Sequence, residues 1–126
     1  MVPLVKVALD TNILLAIEKF KVDVFEQLKA EFGKVEFLVP EQVFNELYGL
    51  SNGKSALSKS AKVALDILSK KNVKGLSVEA KGADEALISL SNQAFIASND
   101  KKLLEKIVEK DGKILFLRQR KFVKMN

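Results

Sequence analysis

Short apolar runs and helix-period stripes alternate along nearly the whole of this 126-residue chain, and that alternation limits its fold more than any other feature. Residues 4–9, 35–39, 73–78, 94–97 and 114–117 are brief and rich in Val, Leu, Ile, Phe or Ala, as buried strands are. Between them lie segments with helical spacing. Residues 11–20 form the first, and Val24, Phe25, Leu28 and Phe32 mark a second that stops at Gly33. Val43, Phe44, Leu47 and Leu50 follow, with Pro40 suited to the first turn, and then a loop at Ser51-Asn52-Gly53. Residues 56–70 form a longer helix, Ala83, Ala86, Leu87 and Leu90 come after Gly82, and Leu103, Leu104, Ile107 and Val108 run to Asp111-Gly112. Strands and helices in this order pair in parallel through right-handed crossovers. The expected fold is a three-layer α/β/α sandwich around a central, mainly parallel sheet of about five strands, as one domain over residues 1–126. In such sheets ligands gather beyond the carboxyl ends of the strands.

Composition narrows the chemistry. The chain has no histidine and no cysteine, which excludes imidazole bases, thiolate nucleophiles and zinc held by nitrogen or sulfur. Any reaction must run on oxygen ligands, lysine or hydroxyls. Lys and Arg outnumber Asp and Glu by 21 to 16, giving a formal net charge of +5 that favours a nucleic-acid partner. No apolar run approaches bilayer length and no basic segment precedes a cleavable apolar one, so the expected location is the cytoplasm, with no membrane partner.

Against this basic background stand four acids, each at the end of an expected strand or early in an expected helix: Asp10, Glu46, Asp84 and Asp100. Clustered carboxylates in a basic protein suit hard divalent cations held against the phosphates of a polyanion. Each also has a plainer reading. Asp10 and Asp100 suit helix N-caps, with Asn99 competing for the second. Glu46 falls on the flank of an apolar stripe, where a solvated border residue is ordinary. Helical arithmetic puts Asp84 between Leu87 and Ile88 on the buried face, with Glu85 pointing away; a buried carboxylate needs a partner or a metal, and the plainer reading is a first-turn acid eased by the helix N-terminal dipole.

The segments carrying these acids are Leu9-Asp10-Thr11-Asn12-Ile13-Leu14, Pro40-Glu41-Gln42-Val43-Phe44-Asn45-Glu46-Leu47, Gly82-Ala83-Asp84-Glu85-Ala86-Leu87 and Ala97-Ser98-Asn99-Asp100-Lys101-Lys102-Leu103. In order and context they resemble the PIN-domain ribonucleases, especially the compact archaeal proteins of the toxin and rRNA-processing branches. The resemblance covers essentially the whole chain. It implies that Asp10, Glu46, Asp84 and Asp100 are catalytic and coordinate one or two Mg²⁺ or Mn²⁺ ions. Thr11, Asn12, Ser98 and Asn99 would form a supporting polar shell, with Ser98 standing where the family frequently has Thr. The implied activity is endonucleolytic cleavage of RNA that leaves a 5′-phosphate. The resemblance also admits an antitoxin or ribosome-assembly partner, and a homodimer through helices such as those of residues 43–68.

Phosphate contacts would fall to Lys54, Lys59 and Lys62 near the 51–53 loop, Lys101 and Lys102 beside Asp100, and the tail cluster Arg118, Arg120 and Lys121. A solvated helix face or terminus accounts for each of these as well. Phe122 and Tyr48 are the candidates for base stacking. Two other enzyme or signalling families on similar sheets fit less well. A haloacid-dehalogenase-like phosphatase requires a second aspartate where Asn12 stands, and a response-regulator receiver requires an acidic pair after the first strand. A noncatalytic PIN-like module that binds RNA or protein is the remaining alternative.

Overall fold

The computed structural model describes residues 3–125. Its elements run β1 (Leu4–Leu9), α1 (Thr11–Phe20), α2 (Val24–Phe32), β2 (Lys34–Pro40), α3 (Glu41–Ser51), α4 (Ala56–Lys70), β3 (Val73–Leu76), α5 (Ala83–Leu90), β4 (Phe95–Ala97), α6 (Lys101–Glu109), β5 (Ile114–Arg118) and β6 (Lys121–Met125). Six strands form one sheet in the order β3-β2-β1-β4-β5-β6, and every pairing is parallel except β5 with β6. No described helix is long and apolar enough to cross a membrane.

The two-residue period of the strands divides the core into two layers. Val7, Leu9, Phe37, Val39, Ala97 and Leu115 point to one face, where α1 to α4 cover them. Ala8, Leu38, Ile96 and Ile114 point to the other and meet Leu87 and Leu90 of α5 and Leu103 and Ile107 of α6. Phe25 packs edge-to-face on Phe37 with ring centroids 4.7 Å apart, fixing α2 against β2.

Several boundaries differ from the sequence reading for identifiable reasons. The sheet has six strands, because the expected tail folds back as β6. Gln119 and Arg120 both take positive φ, 52° and 66°, which makes the tight hairpin turn that matches strand twist. Gln27 braces that turn from α2, donating to the Arg120 carbonyl at 2.9 Å and accepting from Phe122 N–H at 3.3 Å. Pro40 ends β2 and precedes α3 instead of sitting in its first turn. The third strand stops at Leu76, short of residue 78, and the connection to α5 is irregular.

Gly112 shows how tightly the end of α6 is turned. Its N–H donates to Ile107 O at 2.9 Å, and a Cβ there would stand 2.5 Å from Ile107 Cγ2 and 3.0 Å from Ile107 O. Ile107 is fully buried, so neither atom can yield without moving α6. Gly112→Ala is therefore expected to destabilise the protein by about 1–3 kcal/mol, measured by urea denaturation.

Candidate active site

Parallel strands deliver their successors' helices at one edge, so the N-terminal ends of α1, α5 and α6 all open at the carboxyl edge of the sheet. Asp10 leaves β1 in an extended conformation, its N–H donating to Ala97 O at 3.0 Å, and caps α1. Its Oδ1 accepts from Thr11 N–H at 2.7 Å and its Oδ2 from the Ser98 hydroxyl at 2.6 Å. Asp100 caps α6, with Oδ1 accepting from Lys102 N–H at 3.1 Å and Leu103 N–H at 3.3 Å. For both residues the cap and the placement at the cavity coexist. Asn99 does not compete for that cap: its side chain donates to Leu117 O and accepts from Leu117 N–H, tying the end of β5 to the turn after β4.

Asp10, Glu46, Asp84 and Asp100 line one cavity of about 470 Å³ together with Thr11 and Asn12. Glu46 reaches it from the second turn of α3, and its Oε1 accepts a hydrogen bond from the Thr11 hydroxyl. Gly49 and Leu50 complete the α3 wall. Asp84 corrects the sequence reading, since it is exposed, not on the buried face of α5. That face is formed by Ala83, Ala86, Leu87 and Leu90, and Asp84 sits about 100° round from Ala83, on the flank that borders the cavity. Asp10 is the buried acid, 5% exposed.

Beneath the cavity, fully buried Ser98 is the hub. Its hydroxyl donates to Asp10 and accepts from Asp100 N–H at 3.0 Å and from Asn12 Nδ2 at 3.4 Å, while Asn12 Oδ1 accepts from Asn99 N–H at 3.0 Å. One hydroxyl thus ties the end of β1 to the start of α6. Burial raises the Asp10 carboxyl above the usual carboxylate range. The Ser98 and Thr11 donors oppose that shift, and the negative charges of Asp84 and Glu46 add to it.

All four acids offer oxygen donors only, the set that magnesium and manganese take. Asp10 has both oxygens engaged by protein donors, whereas Asp100 commits Oδ1 to its helix. Among the described residues, no three acidic side chains are drawn close enough to clasp one ion as they stand. The residue types and the shared cavity fit such an ion, and the carboxylates would have to close inward to hold it.

None of the expected phosphate-binding cations lines this cavity. Lys54 is exposed in the connection that follows α3, and Lys62 donates back to Gly53 O at 3.0 Å. Lys59 turns to Glu18 at 4.0 Å, eight residues beyond Asp10 on α1 and so about 12 Å along that helix. Lys101 lines a separate groove between α6 and β5 with Leu104, Val108 and Phe116. Lys102 is exposed on α6, Arg118 lies over the Phe116 ring at 5.9 Å, and Arg120 occupies the hairpin turn with Lys121 opening β6. Phe122 packs against the core and is removed from the stacking candidates, while Tyr48 is 58% exposed. Leu15, Gly49 and Leu50 line the cavity from outside the expected set, and Gln42, a polar residue in the first turn of α3 that no sequence pattern marked out, touches the site's scaffold.

A model of the PIN like domain matches residues 7–120. Ribonuclease VapC4 of Methanocaldococcus jannaschii is 31% identical over 123 residues, which cover 93% of each chain. The solved PIN domain endonuclease Utp24 superposes with a TM-score of 0.78 at 26% identity, covering 94% of this chain and 90% of that one. A domain of a functionally unknown protein from Methanocaldococcus jannaschii shares the fold, with a TM-score of 0.60 at 16% identity over 90% and 91% of the two chains. A family match across most of the chain, with a relative matched over nearly its full length, means that this protein belongs to the PIN-like domain family.

Proposed function

We propose that the protein is a metal-dependent endoribonuclease that hydrolyses RNA phosphodiester bonds at the cavity lined by Asp10, Glu46, Asp84 and Asp100. The observation that carries this reading is the convergence of four acids from four separate elements on one cavity at the carboxyl edge of the sheet. The names of the relatives, a ribonuclease at 31% identity and an endonuclease at 26%, support it. When bound there, Mg²⁺ or Mn²⁺ supplies an activated water and neutralises charge on the phosphate. Ser98 holds Asp10 and the start of α6 in register, and Thr11 holds Glu46, so the protein fixes two of the acids before anything binds. Thr11, Asn12, Ser98 and Asn99 act as the supporting polar shell. Lys54, Lys101, Lys102, Arg118 and Arg120 are the proposed backbone contacts for RNA entering from the carboxyl edge, with Lys59 and Lys62 behind them on α4. The proposed partners are RNA as substrate, with an antitoxin or an assembly factor controlling access to the cavity.

The separation of the acids favours one second reading, a noncatalytic PIN-like module that binds RNA or protein. Incubating the purified protein with a mixed RNA pool and Mn²⁺, with and without EDTA, separates the two. The nuclease reading expects products with 5′-phosphate ends that disappear with EDTA. Intact RNA under both conditions, with no Mn²⁺ bound by calorimetry, would leave the binding module as the function.

A further inference from the structure

We propose that Gln42 is a positioning residue whose side-chain amide clamps the connection between β3 and α5 and so delivers Asp84 to the cavity that Glu46 lines. Its Nε2 donates to two carbonyls of that connection, Val78 O at 2.6 Å and Ala80 O at 3.1 Å. Residues 77–82 have no regular structure, so nothing in a ladder fixes their path to α5. Two carbonyls on one amide nitrogen leave only one orientation for the side chain, because an amide oxygen in that place would meet acceptors alone. The amide oxygen is accordingly turned inward, where it is buried with no partner. A side chain that leaves one polar atom unsatisfied while spending both its donors on a single segment is holding that segment in place.

Gln42 and Glu46 are four residues apart on α3, one above the other on the same face. The helix that presents Glu46 therefore also grips the chain four residues before Asp84. Glu85 secures the same turn from the other side, its Oε2 accepting from Lys81 N–H at 2.8 Å, and Ala86 N–H closes the first helical bond on Gly82 O at 3.1 Å. Asp84 is left free to border the cavity. This inference rests on the proposed metal site for its consequence, and on the hydrogen bonds alone for its geometry.

Gln42→Met keeps the side chain's length and removes both the donors and the unpaired oxygen. Gln42→Glu keeps the shape and sets a carboxylate against two carbonyls. Each is compared with wild type in the full chain, alone and combined with Asp84→Asn, by backbone hydrogen exchange and by Mn²⁺ affinity without RNA. The expected result is faster exchange at Lys81 and Ala86, unchanged exchange at Val7, Ala8 and Leu9, and Mn²⁺ affinity about tenfold weaker. In the Asp84→Asn background the same substitutions should change affinity less than about twofold, because the residue they position no longer carries a charge. Equal losses in both backgrounds, or unaltered exchange at Lys81 and Ala86, would overturn the proposal. Should the wild type bind no Mn²⁺, the metal reading fails by itself, and the exchange pattern still decides whether Gln42 holds the start of α5.

Discussion

Asp10→Asn is expected to lower Mn²⁺-dependent RNA cleavage at least about a hundredfold while leaving the protein as stable as wild type, or more so, at neutral pH. The two halves of that result have one cause. Asp10 is nearly buried, and its carboxyl is raised above the ordinary range, first by burial and further by the charges of Asp84 and Glu46, against the opposing Ser98 and Thr11 donors. An ordinary aspartate ionises near about pH 3.9. Between that value and the raised folded one, the native protein holds a proton that the unfolded chain has released. Asp10 therefore favours folding fully below the unfolded value, and that contribution is lost as pH rises through the folded value. Asparagine does not ionise. Its Oδ1 can still accept from Thr11 N–H, and the lost donation from the Ser98 hydroxyl is set against a buried group that no longer has to carry charge. Melting temperatures followed from about pH 4 to about pH 7 should thus diverge in favour of Asp10→Asn as pH climbs. Mn²⁺ should narrow the gap by stabilising the wild type. A variant that melts progressively lower than wild type over that range would show that the ionised carboxylate, through Ser98 and Thr11, is the stabilising form.

Where local chemistry decides structure, the sequence announces it. The bounds of α1 and α4 are legible because Asp10 and Ser55 cap them and their apolar stripes are long enough to fix a period. Gly33 ends α2 as its lack of a side chain allows, with a φ of 80°. The hairpin of β5 and β6 is not legible, because Gln119 and Arg120 are poor turn residues held at positive φ by Gln27 from a distant helix. The same limit applies at the site. That Asp10 and Asp100 share an edge follows from strand order, whereas the exposure of Asp84 depends on where a two-turn helix rests. Counting Ile88 at the centre of the α5 stripe tilts the face by enough to bury Asp84, while in the packed stripe Ile88 is only a partly buried edge. Gln42 is invisible for a further reason: the segment it clamps is irregular, and no period or motif places residues 78 and 80 beside α3.

Ser98→Ala is expected to cost about 2–4 kcal/mol of stability, because it leaves one buried and two part-buried groups without their partner, and to impair cleavage even though Ser98 does not line the cavity. The hydroxyl donates to Asp10 Oδ2 and accepts from Asp100 N–H and Asn12 Nδ2, at a position with no solvent to replace it. Alanine fills the space less one oxygen and satisfies none of the three. Asp10 then loses a donor that holds its carboxyl down, so its ionisation should move further up. The pH at which metal-dependent cleavage switches on should move in the same direction. Asn12 and Asn99 remain hydrogen-bonded to each other, which keeps the turn after β4 in place and makes local loosening, not unfolding, the expected structural change. Urea denaturation measures the first effect, and a pH–rate profile measures the second. A loss of stability with an unchanged pH profile would assign Ser98 to the fold alone. A shifted profile would establish that the serine between β4 and α6 sets the charge of the aspartate at the end of β1.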